Sequence, residues 1–530
     1  VWWGIVPAAL TLAGVAFFLR AQLVLAGNLW GVPLDDAYIH FRFAQNLAAG
    51  HGFSFNPDHP IPGSTSPLWV VLLAGAAVLG APLWLAAKVY GVLFGAVAAV
   101  LAWRLALRLT GAPLAALATG ALTALDGRLL WAAPSGMEVT LFAALSLAAF
   151  LARPTTQATD VGRQASGGRP LSPRVYRLRH RPWRAGLPLR GSERPPTAYR
   201  LFLVAALCGL ATLTRPEGYL LAVVLGIDVY GRTRPSATTI VVAIALYLAL
   251  VLPYNVFALV TTGHPLPTTF YAKASNLGLG TLPTAIVYLL VLAYKLLTSN
   301  YALLLAPLGA LVLWRAGGES RAVVAWPVLF VAEQALLSPL LYHFGRYVMP
   351  LEPFFVLWAT VGIVRLTRPS EGPGSWRTAL PPLALVVLGA LTLSNWANVY
   401  ALSVQNIDDI QVALGRWVRG HVPPGAPVAT HDVGAIGYLS NHPVVDIYGL
   451  ITPRFIALER EQPTARRARD VYAEIRRDGA RYLIIIPSSF SWLAAEPGLR
   501  RVYSVSVRHN LILPASTMAV YKVQALGDRR

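Results

Sequence analysis

Long apolar runs recur along this chain, at about 5–25, 84–109, 113–131, 138–152, 199–213, 217–231, 237–259, 300–315, 322–341, 347–366 and 379–399. Each is near the roughly 20 residues that an α-helix needs to cross a bilayer, so the fold expected is a polytopic α-helical membrane protein with about 11 spanning helices. Two further apolar pieces, 66–80 and 283–297, are ambiguous between crossing the membrane and lying at its surface. Counting both as interfacial puts the N-terminus inside and gathers the arginine-dense connections on the cytoplasmic side. Composition agrees, since 55% of the 530 residues are hydrophobic and only 13% charged. A net charge of +20 would point to nucleic acid in a soluble chain. Here arginines in short loops orient helices instead, and no nucleic-acid partner is expected. The single cysteine, Cys208, sits in an apolar run, which excludes disulfides and Cys-based metal sites. The first run lacks a basic n-region and leads straight into an acidic pair, so it reads as a retained helix.

On the cytoplasmic side this arrangement places Arg104 and Arg108, the segment 153–198, Arg232 and Arg234, Arg315 and Arg321, and Arg365, Arg368 and Arg377. Segment 153–198 is rich in Arg, Pro, Gly and Ser without apolar periodicity, and reads as a mobile basic linker held to anionic headgroups. The opposite face receives the unusual polar groups: Asp35 and Asp36, then SGMEVTLF at 135–142, LTRPEGYL at 213–220, GHPLPTTFYAKAS at 263–275 and HFGRYVMP at 343–350. A charge in or beside a spanning helix costs roughly 2.5–3.5 kcal/mol on insertion scales, so Glu138, Arg215, Glu217, Lys273, Arg346 and Glu352 need a polar cavity or partners. Several connections bringing such groups to one face imply a shared site. Residues 1–400 are therefore taken as a membrane domain. Residues 401–530 alternate helical and strand patterns (DIQVALGRWVRGH, then PVATHD, HPVVDIYGL, ARYLIIIP, RVYSVSV, AVYKVQAL) and are expected to form a soluble α/β domain outside the cytoplasm.

The ordered set DDAYIHFRFAQNLAAGHGFSFNP…GSTSPLW, SGMEVTLF, LTRPEG, PLPTTFYAK and FGRYVMP, closing with THDVGAIGYLS and VVDIYGL, resembles bacterial integral-membrane glycosyltransferases of the GT-C superfamily. It is most similar to the branch of the terminal arabinofuranosyltransferases. The resemblance implies a bundle with an acidic motif in the first external loop, a polyprenyl-phosphate sugar as donor, and a glycan or glycolipid acceptor outside the cytoplasm of a bacterial plasma membrane. Where family members read GYTN or GFTN this chain has Gly63-Ser64-Thr65-Ser66, and where they read PNTFYAK it has Pro267-Thr268-Thr269, so the sugar stays open.

Such a transfer needs a base for the acceptor hydroxyl and cations for the departing phosphate. Adjacent helix residues diverge, so Asp35 and Asp36 cannot both face one atom. Asp35 is taken as the slightly stronger candidate base, with Asp36 orienting a hydroxyl, a cation or Arg42. The alternative is that the pair merely favours the N-terminus of the following helix. Arg215, Lys273 and Arg346 are the candidates for the donor phosphate, unless Arg215 pairs with Glu217 and Arg346 with Glu352 simply to neutralise charge. Glu138, Glu217, Arg42 and His343 are taken as substrate contacts, with Tyr38 and Tyr271 placed to stack on a sugar. The Asp pair would suit Mg²⁺ or Mn²⁺, whereas His51, His343 and His431 are not spaced as a zinc site. A flippase or other transporter of lipid-linked saccharide is the main alternative, although no pseudo-symmetric halves are visible.

Overall fold

A computed structural model describes residues 2–154, 197–273, 281–339, 342–367, 380–459 and 464–524. Most of the expected linker at 153–198 lies outside the described residues. Seven described helices are individually long and apolar enough to cross a membrane, and a bent pair makes up to eight. Shorter apolar helices, such as Pro113–Ala124 and Thr197–Thr212, fill the bundle between them.

The first helix, Ile5–Ala26, stops at Gly27, which adopts the left-handed conformation (φ 70°) that glycine enters without a Cβ penalty. After the turn, Asp35 and Asp36 occupy the first turn of the helix Asp35–Ala48, where negative charge meets the positive end of the helix dipole. That helix packs on Pro67–Val78, whose 12 residues reach only about 18 Å. The 66–80 piece is thus too short to cross. The 283–297 piece, counted as interfacial, lies within the helix Thr281–Ser299, in which Leu282–Ser299 is long and apolar enough to cross a membrane. The run at 113–131 is also broken. Asp126 ends the first half by accepting hydrogen bonds from the N–H groups of Arg128 (3.1 Å) and Leu129 (3.0 Å), starting the helix Gly127–Ala132. The chain then bends by 115° into Val139–Ala152.

The helix Leu83–Thr110, 28 residues or roughly 42 Å long, separates two ends of the bundle. In its first turns Lys88 donates to Gln22 (2.9 Å) and to the Leu29 carbonyl (2.8 Å), tying it to the segment that leads into the acidic pair. In its last turn Arg108 donates to the Leu151 carbonyl (2.8 Å) and pairs with Glu319, while Arg153 and Arg232 share Asp228 (2.8 and 2.6 Å). The basic cluster and the acidic pair therefore occupy opposite ends.

The last candidate span lies within Leu380–His421, in which the helix Leu393–Ile407 continues through a π-turn at Asp408–Val412 into Ala413–His421 and so enters the C-terminal domain. There β1 (Val428–Thr430), β2 (Val444–Asp446), β3 (Tyr482–Ile485), β4 (Leu499–Ser506) and β5 (Thr517–Val523) form one sheet in the order β2-β1-β3-β5-β4. Pairings β1–β2 and β1–β3 are parallel, while β3–β5 and β4–β5 are antiparallel. Alternation along the strands sends Leu483, Ile485 and Ala519 into one core and Ile484 and Val520 into the other.

Candidate active site

The two aspartates are separated as adjacent helical residues must be, and they meet different partners. The Asp35 carboxylate crosses to the C-terminal domain and accepts hydrogen bonds from the backbone N–H groups of Gly434 and Ala435, both at 2.7 Å. It therefore caps the first turn of the helix Gly434–Ser440 rather than its own. Burial, then the facing Asp432 carboxylate, pushes the Asp35 carboxyl well above the usual range. Each Asp35 oxygen thus accepts one backbone N–H, and Asp35 is not among the residues that line either cavity described below.

Asp36 turns the other way. Its carboxylate pairs with Arg346 and lies 3.7 Å from the Lys273 ammonium. Arg346 also donates to the Tyr347 hydroxyl (3.2 Å), and Lys273 donates to the same oxygen (3.3 Å). Burial would raise the Asp36 carboxyl, but the charges of Arg346, Lys273 and His343 overcome it and hold the group well below the ordinary carboxylate range. Lys273 is held charged in turn, the Tyr347 oxygen and Asp36 outweighing burial. Arg346 commits Nη2 to these bonds, while its buried Nη1 has no hydrogen-bond partner among the described residues. A buried guanidinium edge left open in this way demands an anionic or carbonyl acceptor.

Asp36, Lys273, Arg346 and Tyr347 form the wall between two cavities. The first, about 100 Å³, is also lined by His40, Glu138, Arg215, Glu217, Glu333 and Gln334. Within it Arg215 pairs with Glu217 (3.1 Å) and lies 3.6 Å from Glu138, which is itself 3.6 Å from His40. Gln334 donates to Glu217 (3.1 Å). The second cavity, about 220 Å³, is lined from the membrane side by His343 and from the C-terminal domain by His431, Asp432 and Tyr448.

Of the sequence candidates, Asp36, Arg215, Lys273, Arg346, Glu138, Glu217 and His343 reach one cavity or the other. The neutralising pair Arg215–Glu217 forms, whereas the expected Arg346–Glu352 pair does not, because Glu352 is taken by the buried Arg128. Besides Asp35, three candidates lie elsewhere. Tyr38 packs its ring on Phe41 and Tyr438 (5.5 and 5.8 Å). Arg42 donates to the Phe55 carbonyl (3.1 Å) and to Asn441 (2.6 Å). Both thus hold the C-terminal domain against the first loop rather than lining a cavity. Tyr271 stacks edgewise on His264 (4.8 Å) and Phe270 (5.6 Å), outside both cavity linings. Sequence reasoning missed Tyr347, although it directly follows Arg346, and missed His40, Glu333, Gln334, Asp432 and Tyr448. A divalent cation on the Asp pair does not fit this arrangement. Each Asp35 oxygen already accepts one amide and Asp36 faces two cations, and among the described residues no three His, Cys, Asp or Glu side chains gather to hold a metal.

The family described as "Domain of unknown function (DUF8728)" matches residues 404–523. No curated protein matches the chain. Among solved structures, the chain is similar to ArnT from Cupriavidus metallidurans bound to undecaprenyl phosphate, at 15% identity over 96% of this chain and 97% of that one, TM-score 0.53. It is also similar to the oligosaccharyltransferase AglB from Archaeoglobus fulgidus in complex with an inhibitory peptide and a dolichol-phosphate, at 12% identity over 93% of this chain and 71% of that one, TM-score 0.54. The arabinofuranosyltransferase AftD from Mycobacteria aligns with 97% of this chain and 41% of its own, at 13% identity and TM-score 0.45. The chain shares its fold with ArnT and AglB.

Proposed function

We propose that this chain, built on the GT-C fold, is a membrane glycosyltransferase that moves a sugar from a polyprenyl-phosphate donor to a glycan or glycolipid acceptor on the extracytoplasmic side. The observation that carries the proposal is the buried cluster of Asp36, Arg346 and Lys273 standing between two cavities. The same fold accommodates undecaprenyl phosphate in ArnT and a dolichol-phosphate in AglB, which supports a lipid phosphate as the ligand class. The arginine cluster at the opposite end of the bundle supports the sidedness.

The donor phosphate enters the first cavity and takes the open edge of Arg346, the Lys273 ammonium and the nearby Arg215. Guanidinium offers paired bonds to phosphate oxygens and ammonium a movable point charge. Asp36 and the phosphate compete for the same two cations. Phosphate binding therefore loosens the grip on Asp36 and restores its basicity only when donor is present. The acceptor oxygen then bonds to the anomeric carbon as the bond from that carbon to the phosphate oxygen breaks. Its proton passes to Asp36, and the cations hold the charge left on the phosphate. Direct displacement inverts the anomeric carbon. Glu138 and Glu217, held by Arg215, are placed to accept hydrogen bonds from sugar hydroxyls.

Proteoliposomes supplied with radiolabelled polyprenyl-phosphate sugars test the reading. Transfer with inverted product is expected, whereas translocation without transfer would assign a flippase. Lys273→Met removes a charged hydrogen bond of about 1.5–3 kcal/mol, so the donor KM should rise about 10- to 100-fold with normal expression. An unchanged donor KM would remove Lys273 from the phosphate site.

A further inference from the structure

The arginines at the end of the bundle away from the acidic pair form a closed network to which the transfer chemistry gives no task. We propose that this network is the headgroup half of a lipid site. The phosphate of an anionic phospholipid, from the leaflet at that end, sits among Arg108, Arg153 and Arg200, and an acyl chain fills the apolar groove that begins beside Arg200. The inference shares no residue with the donor and acceptor chemistry and does not depend on it.

Five helices meet in the network. Arg108 lies in the last turn of Leu83–Thr110, Arg153 follows Val139–Ala152, and Arg200 lies in the first turn of Thr197–Thr212. Asp228 and Arg232 come from the end of Gly218–Thr233, and Glu319 from the start of Glu319–Leu337. Arg108 pairs with Glu319, while Arg153 and Arg232 share Asp228, so these five groups hold three cations against two carboxylates. The Arg153 carbonyl accepts from Arg108 (3.2 Å) and from Arg200 (3.2 Å), which draws two guanidinium groups to one neutral oxygen. Like charges gathered in this way repel until an anion lies between them.

Hydrogen bonding points the same way. The Arg153 side chain is fully buried, yet its Nη2 has no hydrogen-bond partner among the described residues, and neither has Nε of Arg108. Buried N–H groups are nearly always satisfied, and the acceptor that suits two guanidinium edges is a phosphate. The side chains of Arg108 and Glu319 keep 14% and 25% of their surface exposed, which leaves a way in from the headgroup region. Basic pockets between spanning helices at a membrane face are where lipid headgroups bind. A lipid, rather than a free phosphate, follows from what lies beside the arginines. The helices Thr197–Thr212, Gly218–Thr233 and Ala237–Thr262 enclose an apolar groove of about 600 Å³. Its lining starts at Leu201, next to Arg200, and at Val229, next to Asp228, and runs to Cys208 and Tyr219. Only tyrosine hydroxyls and the Cys208 thiol interrupt its hydrocarbon. From Tyr219 to Tyr230 the helix rises about 16 Å, which matches one leaflet of the roughly 30 Å hydrocarbon core. Ile227 and Tyr230 are largely exposed on its rim, so the groove opens sideways to the bilayer. A donor lipid whose phosphate meets Arg346 has its head at the other end of the bundle and does not reach Arg200.

The full chain, purified in detergent and stripped of lipid, is titrated with phosphatidylglycerol, phosphatidylcholine, inorganic phosphate and undecaprenyl phosphate while its melting temperature is followed. A ligand that binds only the folded state raises that temperature. Phosphatidylglycerol is expected to raise it saturably and to stay bound in native mass spectra, whereas phosphatidylcholine and inorganic phosphate should need at least about tenfold more for the same shift. Arg200→Gln removes one charged contact and should move the phosphatidylglycerol midpoint about tenfold upward. Ala205→Trp, which fills the groove, should do the same without touching an arginine, and it decides the matter should Arg200→Gln fail to fold. No response of the wild type to phosphatidylglycerol, or an unchanged midpoint in both variants, overturns the site. Equal protection by inorganic phosphate overturns the lipid assignment, and equal protection by phosphatidylcholine overturns the anionic headgroup. Loss of the retained phosphatidylglycerol on adding equimolar undecaprenyl phosphate would give the groove to the donor tail and likewise overturn the proposal.

Discussion

Arg346 and Glu352 sit close together in sequence, yet their ion pairs go elsewhere: Arg346 to Asp36, and Glu352 to Arg128. Arg128 also donates to the carbonyls of Phe344 (3.0 Å) and Gly345 (2.9 Å), so it fixes the turn that carries His343 and Arg346. Both members of the Arg128–Glu352 pair are essentially inaccessible to solvent, at 1% and 0% exposure. Removing one partner of such a pair strands the other charge and costs about 3–5 kcal/mol. Glu352→Ala should therefore lower the melting temperature in detergent clearly, and an unchanged melt would show the pair to be energetically neutral. Asp35 and Asp432 carry a second consequence. The folded-state value of Asp35 lies above its unfolded value of about 3.9, so the folded chain binds the extra proton. The stability contributed is complete below about pH 4 and is lost as pH rises through the raised value. Asp432→Asn removes the facing charge, the neighbouring Asp36 remaining, and should flatten the decline in melting temperature as pH rises above about 4. Parallel slopes in the two proteins would show that the Asp432 charge does not raise the Asp35 carboxyl.

At the scale of elements, close approach between helices decides which glycines matter. A Cβ at Gly309 would overlap the Trp358 carbonyl, so the helices Ala306–Ala316 and Glu352–Leu366 touch backbone to backbone there. Gly309→Val should reduce folded yield sharply, whereas the same change at Gly226, with open space around it, should not. A Cβ at Gly434 would strike the Asp35 carboxyl. Gly434→Ala is thus expected to loosen the C-terminal domain from the first loop, read as faster protease cleavage within 404–523 while the membrane part stays intact. Equal cleavage rates would show that the Asp35 cap is dispensable. These contacts also explain what was legible in the sequence. Helices came through because apolar length is a local property, and the strands because their alternation is. The break at Asp126 was not legible, since a capping aspartate inside an apolar run looks like one more buried charge until its amide partners are known. The 283–297 piece stayed ambiguous because its apolar run is shorter than the helix Thr281–Ser299 that contains it.

For the whole molecule, opposite ends carry opposite chemistry. Charge clusters and motif order were enough to gather Asp36, Lys273, Arg215, Glu138 and Arg346 at one end. Long-range pairing was not readable: that Tyr38 and Arg42 serve the C-terminal domain depends on Tyr438 and Asn441, distant in the chain. Nor were the separate partners of Asp35 and Asp36, which lie on the C-terminal domain for one and at Lys273 and Arg346 for the other. In a Cys208→Ser background, Asp58→Cys should react with a membrane-impermeant maleimide added outside intact cells, and Arg321→Cys only after lysis. The reverse pattern would place the cavities on the wrong face for an extracytoplasmic acceptor. Most directly, the claim that Asp36 and the donor phosphate compete for Arg346 and Lys273 is tested by undecaprenyl phosphate affinity and sugar transfer measured together on Asp36→Asn in nanodiscs. Loss of a general base should lower transfer about 10²- to 10⁴-fold, while removal of the competing anion should tighten phosphate binding. Weaker phosphate binding, or transfer at the wild-type rate, would contradict the account.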